Sequence, residues 1–213
     1  MQGLIGRKLG MTQVYDEDGR RVACTAIEVG PCVVVQRKTR DKEGHDAVQI
    51  GYGDQKPQRL NKPARVRFEK ANVPTKRVLR DVRLDEGEDV KPGETVTVAM
   101  FEGVSFVDVI GTTKGRGFAG VVKRHRMRGG RMTHGGHSKR RVGAIGQCAY
   151  PGRVAKGQKM PGHMGHARRT QQNLRVLRVR EADNVLLVRG AVPGPTGGIL
   201  LVRKALKKAA KGS

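Results

Sequence analysis

The sequence predicts a mainly β protein with one short helix, in which both chain halves build one β-barrel-like body and a long, irregular, basic excursion leaves it between them. Three observations predict this. Short β-branched runs bounded by turn residues occur before residue 111 and resume after residue 172. The stretch between them is glycine-rich, and from Val109 to Arg180 it contains no Asp or Glu. Over the whole chain, 43 Lys and Arg face 19 Asp and Glu, a formal charge of +24, with only 3% aromatic residues and no tryptophan.

Taken in order, GRRVACTAIEV (Gly19–Val29), CVVVQRKT (Cys32–Thr39), DAVQIGYG (Asp46–Gly53), ETVTVAMF (Glu94–Phe101) and SFVDVIG (Ser105–Gly111) read as antiparallel strands. Each is partly alternating, and turn signals punctuate them: DEDG at Asp16 to Gly19, Gly30-Pro31, Lys56-Pro57 and Pro92-Gly93. NKPARVRFEKAN, from Asn61 to Asn72, has a capping residue and an early proline, which predicts a short helix near 61–72. After the basic block, NLRVLRV, NVLLVRGAV and ILLVRKAL resume the strand pattern and lead into a basic tail, KALKKAAKGS. The expected division is therefore 1–110 for the first part of the body, 111–172 for the excursion, and 173–213 for returning strands and tail. Sequential strands usually neighbour in space, so the two flanks are expected to share a sheet. With limbs of about 25 residues, the excursion could reach at most roughly 80 Å at full extension. No internal repeat of solenoid period is present.

The excursion has scattered rather than periodic apolar residues. By itself it cannot bury enough surface to offset the entropy of ordering, so alone it is expected to be largely disordered. Its glycines allow backbone to approach a charged surface closely. A surplus of +24 on 213 residues repels itself unless a polyanion supplies counter-charge, and nucleic acid is the commonest such partner. A membrane partner would need an apolar face or lipid, and no apolar run approaches the roughly 20 residues of a spanning helix. The N-terminal MQGLIGRKLGMTQVY resembles neither a secretion signal nor a transit peptide, so a cytoplasmic location is expected. Cys24, Cys32 and Cys148 are three, irregularly spaced and without C-x-x-C, which argues against a disulfide framework and fits reduced thiols.

Several motifs admit plainer readings. Gly115-Arg-Gly117-Phe-Ala-Gly120 matches G-x-G-x-x-G after a strand, but the ribose-binding acid expected about 20 residues later is missing, which excludes a dinucleotide site. The loop reads instead as one that hugs phosphate. His134-x-x-His137 and His163-x-x-His166 could supply metal ligands, yet neither lies in a zinc-site context, and zinc would add charge to a cationic segment. Histidines among arginines hydrogen-bond phosphate or stack on bases, or are plain surface residues. Acid–base catalysis wants a carboxylate near its histidine, and Cys148 has no partner base. No catalytic residue, metal, cofactor or small-molecule substrate is therefore assigned.

The cations carry the strongest signal: Lys114, Arg116, Lys123, Arg124, Arg126, Arg128, Arg131, Lys139, Arg140, Arg141, Arg153, Lys156, Lys159, Arg168 and Arg169. Most are arginine, whose planar fork suits bidentate phosphate contacts. Solvated faces mix charge signs, and this one does not. Few aromatics argue against a single-strand stacking platform, and no helix-turn-helix, zinc-finger or basic-zipper pattern occurs. What remains is recognition of folded RNA through shape and backbone.

Read with those residues in hand, the chain resembles the bacterial large-subunit ribosomal protein three family nearly end to end. GLIGRKLGMTQVYDEDG, EVGPCVVVQRKT, AVQIGYG, NKP, GTTKGRGFAGVVKR, THGGHSKRRVGAIGQ, PGRVAKGQKMPGHMG and NVLLVRGAVPGPTGG follow that family's signatures in the same order. The resemblance implies a translation-type β-barrel body and an extension that reaches through 23S rRNA toward the peptidyl-transferase centre. It also implies neighbouring large-subunit proteins as partners, a ribosomal location, and an early role in subunit assembly. Lys114, Arg116, Lys123 and Arg124 would form the outgoing limb, and His134, His137, Ser138, Lys139, Arg140 and Arg141 would continue inward. Gln147, Cys148, Ala149 and Tyr150 would lie at the tip, and KGQKMPGHMG, containing His163, would return with Arg168 and Arg169. Many members carry tryptophan where this chain has His125, so no stacking role is carried over to that position. Some bacterial members methylate a glutamine where Ala149 stands, and that modification is not expected here. Two other classes make distinct expectations: a non-ribosomal RNA chaperone or assembly factor would bind RNA transiently, and a metal or redox enzyme would carry zinc or a reactive thiol.

Overall fold

The computed structural model describes every residue except Glu17, Glu86 and 209–213. The chain divides into two compact units, one of Met1–Thr112 with the chain from Arg168 onward, the other Thr113–Ala167. The first unit holds β1 (Gly3–Tyr15), β2 (Arg21–Val29), β3 (Cys32–Lys38), α1 (Arg40–Glu43), β4 (Ala47–Asp54), α2 (Lys62–Lys70), β5 (Lys76–Arg83), β6 (Thr95–Val96) and β7 (Phe106–Thr112). The second contains β8 (Phe118–Ala119), α3 (Val121–His125) and β9 (Gly162–His163), and the first resumes with β10 (Arg168–Arg180), β11 (Val185–Arg189) and β12 (Ile199–Lys204).

Six antiparallel strands close a barrel in the order β1-β12-β7-β10-β11-β2. The two sequence flanks interleave: β12 lies between β1 and β7, and β11 pairs with β2. Closure pairs the strands on both sides around the ring, which is how an antiparallel body limits edge-to-edge association, while the far ends of β1 and β2 run past it as a two-stranded hairpin. Residues two apart supply much of the core, among them Ile27 and Val29, Val107 and Val109, Leu186 and Val188, and Leu200 and Val202, while β1 and β7 are also buried at consecutive positions. A second sheet, β5-β4-β3-β6, adds Val34, Val48 and Ile50 to the same hydrophobic cluster. One core thus serves both sheets.

The mainly β class, the barrel built from both flanks and the short helix near 61–72 are all present. Other expectations need correction. Two strands, β1 and β5, went unread because their sequences lack the usual strand signature. In GLIGRKLG, glycines interrupt the pattern, and the structure gives a reason: a Cβ on Gly6 would sit 2.5 Å from the Glu28 carbonyl oxygen. KRVLRDVR is mostly charged, and Val82 is its one buried side chain. ETVTVAMF is a strand only at Thr95–Val96 and then turns as a 3-10 helix over Val98–Phe101. Val98 and Phe101, three residues apart, share one face of that turn and are both fully buried. Asn61 precedes α2 but makes no side-chain capping bond. Gly111, Thr112 and Arg168–Gln171, expected within the excursion, are paired instead: Arg168 with Thr112, and Thr170 with Ile110. Thr112 and Thr170 are β-branched and favour the ladder, and the backbones of Arg168, Arg169 and Gln171 pair whatever their side chains. The basic tail lies outside the described residues from 209 onward.

Two buried polar side chains pin this body. The Lys8 ammonium donates to the carbonyls of Val192 (3.0 Å) and Gly194 (3.1 Å), tying the loop before β12 to β1. Asp108 on β7, 1% exposed, accepts from the Asn173 backbone N–H at 3.0 Å and from the Arg203 guanidinium at 3.2 Å. Asn173 lies where the β7–β10 register shifts, and it has φ of 55°. The carboxylate therefore holds a bulge in β10 and a cation from β12 at one point.

The three cysteines are free: Cys24 and Cys32 are buried, and Cys148 is exposed. Burial pushes the Cys32 thiol up to about 11 from 9.0, and raises that of Cys24. A maleimide at neutral pH is expected to label Cys148 rapidly and the other two only on unfolding, as read by mass spectrometry. Because the folded Cys32 pKa is raised, its contribution to stability is fully present below pH about 9. It is lost as pH rises through about 11, by up to about 3 kcal/mol. Denaturant midpoints that stay flat between pH 8 and 11 would contradict this.

Candidate nucleic-acid interface

Thr113–Ala167 starts as two paired limbs. Thr113 N–H donates to the Ala167 carbonyl (3.0 Å), Arg116 N–H to Met164 (2.8 Å), and Met164 N–H to Gly117 (2.9 Å). The limbs then pair briefly as β8 and β9, with Phe118 opposite His163 and Ala119 opposite Gly162. Gly165 makes this approach possible: it has φ of 78°, and a Cβ there would collide with the Lys114 carbonyl. The G-x-G-x-x-G stretch ends at Gly120, which precedes α3, a helix of five residues. From α3, the Arg124 guanidinium donates to the Met160 carbonyl (2.8 Å), and the His125 Nε2 lies 3.1 Å from that same oxygen. Two side chains of one turn thus hold the returning limb at Met160.

Beyond α3 the backbone is irregular, with a few turns and one longer-range backbone hydrogen bond. Gly130 N–H donates to Lys139 (3.1 Å), Arg141 N–H to Ser138 (3.1 Å), and Gln158 N–H to Ala155 (3.2 Å). Residues Ala144 to Gln158 surround an open groove of about 650 Å³, with Ile145, Gln147, Arg153 and Lys156 in its lining. In the whole unit only Ala119 and Val121 are buried hydrophobics. A segment with so little apolar burial gains its shape from glycine turns and backbone hydrogen bonds.

The sequence-derived candidates within this unit, Lys114, Arg116, Lys123, Arg124, Arg126, Arg128, Arg131, Lys139, Arg140, Arg141, Arg153, Lys156 and Lys159, are all exposed, as are His134, His137, Ser138 and His163. None can find a carboxylate partner in its own unit, because the unit has none. The ion pairs among the described residues belong to the body, for example Arg7–Glu28 at 2.8 Å and Lys38–Asp81 at 2.7 Å. Gln147, Cys148, Ala149 and Tyr150 are exposed at a turn, Tyr150 to 88%. Arg168 and Arg169 belong to the other unit, on barrel strand β10, where they pair with Thr112 and Gly111. Among the described residues no three His, Cys, Asp or Glu side chains gather as a metal site would require.

One candidate escaped the sequence reading. Phe118 is 79% exposed on β8 while its neighbour Ala119 is buried. The two-residue alternation GFA was the available signal, and the shortness of the strand concealed it. Phe118 and Tyr150 are the two aromatic side chains of the unit, and both face outward.

Comparison with known proteins agrees with this geometry. The family model described as Ribosomal protein L3 matches residues 83–185. The chain is 48% identical to the large ribosomal subunit protein uL3 of Corynebacterium diphtheriae, covering 97% of this chain and 95% of that protein. It is 49% identical to its counterpart of the same name in Magnetococcus marinus, covering 97% of each chain. With that of Heliobacterium modesticaldum it shares 48% identity, over 97% of this chain and 98% of the other. Near full-length identity at this level, together with a barrel that sends out an acid-free loop, leaves one conclusion: the chain belongs to the ribosomal protein L3 family.

Proposed function

We propose that the protein is a structural, non-catalytic constituent of the large ribosomal subunit that binds 23S rRNA directly, with Thr113–Ala167 as its principal contact. The single observation that carries this is the set of thirteen exposed Lys and Arg side chains in that unit with no Asp or Glu among them. Fixed guanidinium groups replace diffuse counterions, which lets phosphate backbones of separate RNA helices approach one another. The glycine turns keep the segment thin, and backbone recognition of this kind needs positioned cations more than base-reading side chains. The names of the relatives support the placement in the large subunit, and ribosomal RNA and adjoining ribosomal proteins as partners, with the cytoplasmic ribosome as location, follow from that placement as part of the proposal. On the same reading the protein acts early in subunit assembly. The exposed turn at Gln147–Tyr150 is the part directed toward the peptidyl-transferase centre.

If about ten of the thirteen cations contact phosphate, log K for protein-free 23S rRNA should fall with log salt at a slope of about −7 to −9 or steeper. A slope near zero would overturn the reading. Sedimentation of a lysate at high salt tests the role: a constituent stays with large subunits at equal stoichiometry. A transient RNA chaperone would be washed into the supernatant.

A further inference from the structure

The β4–β5 connection is far longer than the strands need. Asp54 and Lys76 are cross-strand partners, and Gln55 N–H donates to the Thr75 carbonyl at 3.1 Å, so the hairpin is already closed at that point. Yet residues 56–74, nineteen of them, are inserted beyond it. They contain six cations and one acid, Glu69, which is spent on Arg65 at 3.3 Å within α2. Among the described residues, Lys56, Arg59, Lys62 and Lys70 have no carboxylate partner, and all four are exposed; exposed Arg67 bonds only the neutral Gln49.

The helix also has a direction. Phe68 is its one buried side chain and anchors it to the body. At 100° per residue, Lys62, Arg67 and Lys70 fall within about 140° of arc on a face turned away from Phe68. Along that face runs a cleft of about 470 Å³, bordered by Arg37 and Val35 of β3 and by Arg67 and Lys70 of α2. A segment that contributes two buried residues, Phe68 and Val73, in nineteen does little for the core.

We propose that the 56–74 insertion is a second RNA-phosphate contact surface, carried by the body and separate from Thr113–Ala167. It rests on the RNA-binding reading above and extends it to a part of the chain that reading does not use. The chemistry recognised is the phosphate backbone: exposed cations on one helix face, without base-sized aromatic rings, hold charge and not sequence.

The test uses the full chain with Lys56, Arg59, Lys62, Arg67 and Lys70 all changed to Gln, titrated with protein-free 23S rRNA across salt concentrations. Five lost contacts are expected to flatten the slope by about 3.5 to 4.5 relative to the parent. The unfolding midpoint should stay unchanged, because all five side chains are exposed. Arg59→Lys with Arg67→Lys, which keep the charge, should retain the parent slope. A steep parent slope matched by the Gln variant would overturn the insertion proposal while leaving the RNA reading intact. A flat parent slope would overturn both. A Gln variant that keeps the slope but no longer sediments with salt-washed subunits would assign the surface to an acidic protein, and overturn the proposal too.

Discussion

Joining Thr112 to Arg168 through an Asn-Gly turn, in place of Thr113–Ala167, is expected to leave a cooperatively folding barrel that has lost most of its affinity for ribosomal RNA. The two ends permit it, because Thr112 and Arg168 are cross-strand partners in the antiparallel β7–β10 ladder, and a two-residue turn spans such a pair. The core permits it as well, since every member of the main hydrophobic cluster comes from Met1–Thr112 or from Arg168 onward. What the deletion removes is thirteen cations. With about ten of them on phosphate, the salt slope should become less steep by about 7 to 9. Affinity near 0.1 M salt should fall by about a thousandfold or more. Filter binding across a salt series reads the first quantity, and denaturant unfolding reads the folding of the remainder. Loss of a cooperative transition would mean that the excursion holds the barrel together, and unchanged affinity would mean that its charges do not bind.

Asp108→Ala should destabilise the body by about 3–5 kcal/mol, the cost of breaking a buried pair and leaving the other charge unpaired. The carboxylate is 1% exposed and serves three strands at once: it stands on β7, accepts from the Asn173 N–H in the β10 bulge and accepts from Arg203 of β12. Truncation leaves the Asn173 N–H without its acceptor and Arg203, with 28% of its side chain exposed, without its counter-charge. Asp108→Asn keeps a carbonyl oxygen for the Asn173 N–H but sets an amide NH2 against the Arg203 guanidinium, so any stability it retains over Ala measures the bulge contact alone. A shift in the urea midpoint at constant m-value is the measurement. An Ala variant within about 0.5 kcal/mol of the parent would show that the barrel closes without this contact.

Asp108 also shows where reading residues in order reaches its limit. In SFVDVIG it looks like an outward-facing polar residue in a half-buried strand. Its partners are 65 and 95 residues away in sequence, and nothing local announces them. Strand β1 is hard to read for a related reason, since two of the glycines that spoil its local pattern make room for distant neighbours, Gly3 for β12 and Gly6 for β2. By contrast, α2 was legible because its cap position, early proline and length are all local features. The acid-free block was legible because charge sign needs no partner to be counted. Its boundaries were not: whether Arg168 and Arg169 belong to the loop or the ladder depends on what lies opposite them, and Thr112 and Gly111 do.

Strand patterning and charge order along this chain were enough to predict its mainly β class and to mark off a mixed-charge body from a cationic, acid-free stretch. Those properties add up residue by residue and survive in an unfolded chain. Barrel closure, the β10 bulge held by Asp108, the Arg124–Met160 link and the cationic insertion beyond an already closed hairpin came only with the fold. Each depends on groups far apart in sequence meeting at hydrogen-bond or van der Waals distance, and such meetings are properties of packing and not of any one segment.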